Sequence, residues 1–336
     1  MCRFSVPFDP SRWMSRRAFN KALGAVALSA AIPRESVANS SVSVGYPIRW
    51  ENRLAGDGFW IRHGFACENT WYNPGWWHTG EDWYAEEGET GGALVVSIES
   101  GKVVFAGSEY PGRVVILEHP GGLFSMYGHL DPELTVVQGD QVLAGQVLGK
   151  VLLRDDGRAP SHLHFEVRDF LFQGEVNGDS PRYGVGCGFQ CAPGPGYWPI
   201  DALEHPVVLG WRNPAHVIAE MQAASLDSVS RVVAVGHDRT VPLLKTPDIS
   251  DQLIVPQSPW ISLEGGSRLL SIKAGQGNSS GTGADAYSVW YEVSTPDGDS
   301  GWVQGLVSDA SETGSDGKPS ALRLVFVPEN HNDIDR

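Results

Sequence analysis

With 336 residues, forty glycines, twenty-two prolines and twelve tryptophans, the chain is long enough for two domains that each bury a core, and it favours short strands and turns over a helical bundle. A formal charge of −15 argues against nucleic acid as a partner, because phosphate binding needs a basic face. No apolar run reaches the roughly eighteen to twenty residues of a spanning helix, so no transmembrane segment is expected and an all-β protein is the default.

Residues 1–38 read as a twin-arginine signal peptide. Arg16 and Arg17 stand in "SRRAFNK", a mildly apolar "ALGAVALSAAI" follows, and Ser36 and Ala38 suit cleavage after Ala38. The bland alternative is a basic amphipathic surface helix. The signal implies export through the twin-arginine route to the periplasm, cell wall or extracellular space. Cleavage removes six basic and two acidic groups, so the mature chain is more acidic still. Cys2 leaves with the signal. Cys67, Cys187 and Cys191 remain in a location that permits disulfides, with the pairing open, and their spacing does not suit a cysteine zinc site.

Residues 39–57 form an extended lead-in. Strand-like runs follow at 94–98, 102–106, 113–118, 123–127, 141–143 and 162–168, each short, rich in Val, Ile or aromatics, and bounded by Gly, Pro or Asp. They predict an antiparallel β-sheet domain over 58–228, folded on itself with a groove over one face. Its long Gly/Pro-rich loop, 169–206, holds two cysteines. Asn213 and Pro214 open a helix, "PAHVIAEMQAAS", that ends the domain. A second strand-rich unit occupies 229–308, with a flexible insert at 275–286. Residues 309–336 read as a polar segment with one last strand at 322–327 and a tail.

The chemistry concentrates in three places: "WWHTGEDW" with His78 and Asp82, "SMYGHL" with His129, and "PSHLHFEV" with His162 and His164. On a strand, residues i and i+2 share a face, so H-x-H aims two imidazoles at one point while Leu163, Phe165 and Val167 enter a core. Gly80 permits a tight curl between His78 and Asp82. Histidines with a carboxylate suit zinc, whose catalytic sites use three protein groups and keep one position open. Taken singly, each histidine has a bland reading as a satisfied loop or core group. Tyr127 shares a face with His129 if the strand is regular, which makes it either a donor to substrate or a core residue. Glu166 shares the face of His164, either orienting a ligand or standing exposed. His63, His119, His205, His216, His237 and His331 lack partners at telling spacing. Trp71-Tyr72, Trp76-Trp77 and Trp83-Tyr84 fit groove walls or core equally well.

From about Gly58 to Val167 the chain resembles the lysostaphin/LytM-type zinc metallopeptidases. The resemblance rests on His78-x-Gly80-x-Asp82, "GKVVFAG", "GRVVILEHPGGLFSMYGHL", "VVQGDQVLAGQVLGKV" and "HLHFEV". It implies one Zn²⁺ held by His78, Asp82 and His164, with His162 as general base and His129 assisting at the oxyanion or the water; the last two roles are interchangeable on sequence grounds. It also implies hydrolysis of peptidoglycan stem or cross-bridge peptides by metal-activated water. No G-x-S-x-G elbow supports a serine nucleophile. Residues 231–308, with "WYEV" and "GWV" flanking a turn, resemble a bacterial SH3-like domain, a small β-barrel implying attachment to the cell wall. Two alternatives stay open: a metal-free wall-binding or activator protein on the same fold, and a zinc peptidase of secreted proteins.

Overall fold

The strand Leu163–Arg168 organises the molecule. Its residues alternate in character, with Leu163, Phe165 and Val167 apolar and His164, Glu166 and Arg168 polar, yet all six are buried. Such alternation ordinarily marks a sheet with one wet face. Here the polar face is covered as well, which makes it a place where charges must satisfy one another. The strand pairs antiparallel with Phe124–Leu130 on one side and Glu81–Ala85 on the other.

The computed structural model describes residues 44–329 except 108–111, 156, 158, 178–195, 225–229, 235–238, 248–259, 264–267, 277–282 and 296. The expected leader, Cys187, Cys191, His237 and His331 lie outside the described residues. Among those described, a ten-stranded sheet runs in the order Gln141–Val142, Gly101–Gly107, Arg113–Glu118, Phe124–Leu130, Leu163–Arg168, Glu81–Ala85, Phe59–His63, Pro319–Leu324, Leu306–Thr313. Trp211–Arg212 pairs additionally with the central strand. The chain is all-β in character. Its main helix, Pro214–Ala224, starts where Asn213 and Pro214 predict, with Asn213 Oδ1 accepting from the His216 N–H at 3.1 Å. No helix among the described residues is long and apolar enough to cross a membrane.

Several strands carried no sequence expectation, among them Phe59–His63, Asn73–His78, Glu81–Ala85 and Val147–Lys150. The Gly, Pro and Asn of Asn73–His78 and the acidic residues of Glu81–Ala85 read locally as loop, and tertiary pairing overrides that preference. The stretch read as a polar segment with one last strand holds more strand than that reading: Leu306–Thr313 and Pro319–Leu324 form a hairpin whose second strand pairs with Phe59–His63. Among the described residues, strands from 229–308 and from the C-terminal stretch pack into the same core as those of 58–228. Ser300–Gln304, Val289–Ser294, Arg268–Gln276, Ser230–Ala234 and Phe326–Glu329 form a five-stranded sheet. Its Val232, Tyr291 and Phe326 share one core cluster with Trp83, Phe165 and Leu322. The described residues all fall within one unit, 41–336.

A polar contact ties this core together at a single side chain. The Tyr287 hydroxyl accepts from the Phe65 N–H at 2.6 Å and donates to Glu81 Oε1 at 3.0 Å, both buried. Burial pushes the Glu81 carboxyl up to about 8, against hydrogen bonds from Tyr287, the Ala215 N–H and Trp83 that favour the charged form. Tyr287→Phe leaves a buried N–H and a buried carboxyl oxygen without that partner. It is expected to lower unfolding stability by about 1–3 kcal/mol, seen as an earlier urea midpoint with unchanged slope.

Candidate metal centre

Asp82 and His164 are direct cross-strand neighbours in the register of Glu81–Ala85 against Leu163–Arg168, so their side chains emerge side by side on one face. His78 arrives from the end of Asn73–His78, pinned by the Ala66 N–H to its carbonyl and by its own N–H to the Cys67 carbonyl. A corner at Thr79-Gly80 separates it from Asp82. Gly80 is needed there for room rather than for unusual backbone angles: a Cβ would meet the Phe165 carbonyl oxygen at 2.4 Å.

The donor atoms converge closely. His78 Nε2 lies 3.2 Å from Asp82 Oδ1, His164 Nδ1 lies 3.1 Å from the same oxygen, and the two nitrogens are 3.0 Å apart. Their tautomers follow from the outer partners. His78 Nδ1 faces the His63 carbonyl at 3.2 Å and His164 Nε2 faces Glu166 Oε1 at 3.1 Å. Carbonyl and carboxylate oxygens only accept, so those nitrogens carry the protons and the inner ones present lone pairs. Two lone pairs and a carboxylate oxygen thus point at one spot, which suits a cation. Tetrahedral zinc at about 2.0–2.1 Å from its ligands sets them about 3.3 Å apart, close to the spacing here. Among the described residues, these three form the group able to hold a metal.

Exposure gives the site a direction. The His78 and Asp82 side chains are sealed, whereas His162 and His164 keep 7% and 8% of theirs accessible, and His129 is half-buried. Any open coordination position therefore lies toward those rings. His162 Nδ1 donates to the Pro160 carbonyl at 3.0 Å, leaving Nε2 bare and 3.8 Å from Asp82 Oδ1. The Tyr84 ring stacks on His162 at 4.9 Å and 18°. The His129 ring meets His162 edge-on at 4.6 Å and His164 at 6.1 Å.

Tyr127 does not belong to the site. It stands opposite Phe165 in the register, packs against that ring at 5.2 Å, and its buried hydroxyl accepts from the Ile98 N–H and from Ser125. It is therefore a core residue and offers nothing to substrate. The premise that failed is strand regularity: His129 has φ +61°, which breaks the alternation and turns its ring away from the face Tyr127 occupies.

Glu166, by contrast, orients His164. Its Oε1 accepts from the His164 Nε2–H and from Thr79 Oγ1 at 2.7 Å, and its Oε2 accepts from Trp211 Nε1 at 3.2 Å and lies 3.4 Å from Arg168 Nη1. Burial opposes its charge, yet His164 and Arg168 hold the carboxyl down at about 2. Burial likewise works against the His164 imidazolium, and Asp82 and Glu166 nonetheless push its pKa up to about 9, so a cation that takes the Nδ1 lone pair displaces a proton from that nitrogen. Glu166→Gln removes the charge that fixes His164 and leaves Arg168 buried without its counter-ion. Zinc affinity is expected to fall about ten- to a hundredfold in chelator competition, with a stability loss of about 3–5 kcal/mol by urea unfolding.

The other histidines divide by burial. His119 bridges the Ser100 carbonyl and Ser125, His216 accepts from the Ser288 N–H, and His205 caps the turn Pro206–Leu209; all three are structural. His63 was not expected at the site, and it is there. The aromatic pairs split between roles: Trp83 is fully buried core, Trp71 is 60% exposed, and Arg62 lies over Trp71 at 4.3 Å. Cys67 is a buried free thiol pointing at the Phe65 carbonyl.

Residues 77–178 match the model of peptidase family M23. Among solved structures, lysostaphin from Staphylococcus simulans is 17% identical over 81% of this chain and 96% of its own, with a TM-score of 0.32. Its catalytic domain alone is 32% identical over 31% of this chain and 76% of its own, at 0.26. The catalytic domain of the prophage-encoded M23 protein EnpA from Enterococcus faecalis is 26% identical over 32% and 80%, at 0.27. No curated protein matches the chain.

Proposed function

We propose that this chain, which belongs to peptidase family M23 through its residues 77–178, is an exported zinc-dependent endopeptidase that hydrolyses stem or cross-bridge peptides of peptidoglycan. The observation that carries this reading is the convergence of His78 Nε2, Asp82 Oδ1 and His164 Nδ1 within 3.0–3.2 Å, with outer oxygens that force lone pairs inward.

A zinc ion held by these three groups would polarise the scissile carbonyl and make water acidic enough to attack near neutral pH. The chain supplies the rest. His162, with Nδ1 committed to Pro160, offers Nε2 as the base that takes a proton from the attacking water and returns it to the leaving amine. His129, on the accessible side, donates to the oxygen that gains charge. Tyr84 keeps the His162 ring from rotating by stacking on its face. Sealing of His78 and Asp82 keeps bulk water from the inner side, where it would weaken every electrostatic contact.

Purified sacculi treated with the protein should release new amino termini, lose that release with a chelator, and regain it with added zinc. Fragments released from secreted proteins but not from sacculi would overturn the substrate assignment. We further propose that the leader directs twin-arginine export, and that the SH3-like strands of 229–308 hold the enzyme to the wall and raise its local concentration there. Export of an Arg16→Lys, Arg17→Lys chain at the normal level would reject the first. Unchanged sacculus binding when the half-buried Trp302 is replaced by alanine would count against the second.

A further inference from the structure

Two buried polar atoms beside the metal centre have no partner except each other. His63 Nδ1 and Asp82 Oδ2 make no hydrogen bond to any other group, lie 3.5 Å apart, and belong to residues that are each 1% exposed. Interior polar groups left without a partner are costly and rare, the more so for a carboxylate, so their juxtaposition calls for a reason. The strand register supplies one. Phe59–His63 pairs with Glu81–Ala85 as Phe59 with Ala85, Trp60 with Tyr84 and Ile61 with Trp83. Regular continuation would set Arg62 opposite Asp82. Instead the register shifts, and His63 takes that place. Bulges of this kind re-aim a side chain, and this one exchanges a guanidinium for an imidazole at the second oxygen of Asp82. His63 also acts through its backbone, because its carbonyl is the acceptor that fixes His78. The one residue therefore touches two of the three metal-binding groups.

We propose that His63 is a positioning residue for the metal centre: its Nδ1–H holds Asp82 Oδ2, so that Oδ1 is presented to the ion in one orientation. The ring is itself steadied by Tyr72 and Tyr84, both edge-on at 6.4 Å. The proposal rests on the zinc reading of the site. Its test is zinc affinity of the full chain by chelator competition, which needs no substrate. His63→Phe keeps the ring packing and the backbone carbonyl but removes the donor. His63→Asn restores an N–H where Nδ1 stood. The phenylalanine protein is expected to bind zinc about ten- to a hundredfold more weakly than the unchanged chain, and the asparagine protein within about threefold of it. Equal affinity of His63→Phe and the unchanged chain would overturn the proposal, as would an asparagine protein no better than the phenylalanine one. If His63→Phe does not fold, His63→Leu is read against His63→Asn by the same criteria. An unchanged chain that binds no zinc would sink the metal reading itself, a distinct result.

Discussion

Asp82→Asn protein is expected to emerge from dialysis without zinc and without wall-hydrolysing activity. Asp82 is the only anion among the three donors, and its Oδ1 lies 3.1–3.2 Å from both ligand nitrogens. The amide that replaces it keeps the shape and loses the charge that offsets a buried divalent cation. The loss should exceed the ten- to hundredfold expected of supporting contacts, reaching about a thousandfold or more in zinc affinity, with hydrolysis falling in step. Metal content per chain and release of soluble wall fragments are the two measurements. His162→Ala supplies the contrast. Its Nε2 stands 3.8 Å from Asp82 Oδ1, outside the triad, so that protein should keep its zinc while turnover drops about 10²- to 10⁴-fold. Near-stoichiometric zinc in Asp82→Asn, or metal loss in His162→Ala, would overturn the division of roles between ligand and base.

What was legible in the sequence is what local chemistry encodes. His78, Asp82 and His164 are recognisable because two histidines and an acid are a ligand set, and because H-x-H on a strand shares a face. The strand at Arg113–Glu118 and the helix start at Asn213 were readable for similar reasons, one by β-branched residues and the other by a cap. His63 was not readable. Its place opposite Asp82 comes from a shifted register between strands about twenty residues apart, and no local pattern announces a shift. Tyr127 was left open between donor and core for the converse reason: its donor reading needed alternation to hold through His129, where φ is +61°. Of the C-terminal hairpin only part of the second strand was legible, because its partner strand, Phe59–His63, lies more than two hundred residues earlier in the chain.

The polar face of the central strand explains why the site tolerates so much buried charge. Asp82, His164, Glu166 and Arg168 alternate in sign across adjacent positions, each within 3.1–3.4 Å of the next. Isolated, any of them would carry a desolvation penalty of several kcal/mol. In series they offset one another, and the directions in which burial is overridden follow the pairing: Asp82 and Glu166 held low, His164 held high. A neutral substitution in the row therefore acts twice, removing one partner and exposing the next.

A chain ended at residue 305 is expected not to fold, rather than to become an enzyme that has merely lost its anchor. The cut removes Leu306, Leu322, Leu324 and Phe326, all essentially inaccessible in the intact protein. At about 1.5–3 kcal/mol for each buried side chain of this size, the loss is about 6–12 kcal/mol, on the scale of a domain's whole stability. It also strips the neighbour from Phe59–His63, where Ile61 pairs with Leu322 and Arg323 lies over the Trp60 ring at 3.8 Å. Nearer the site, Arg62 loses Glu312, which both Nε and Nη2 reach at 2.7 Å, and Glu68 loses Ser315. Those contacts steady the segment that carries His63 and Trp71. The truncated protein should show no cooperative thermal transition and no zinc-dependent cleavage of small soluble muropeptides, for which wall attachment is irrelevant. A detachable anchor predicts the opposite: soluble peptides cut at the full rate, a cooperative melt, and loss confined to insoluble sacculi. That outcome would show that the hairpin lies beside the catalytic sheet without supporting it.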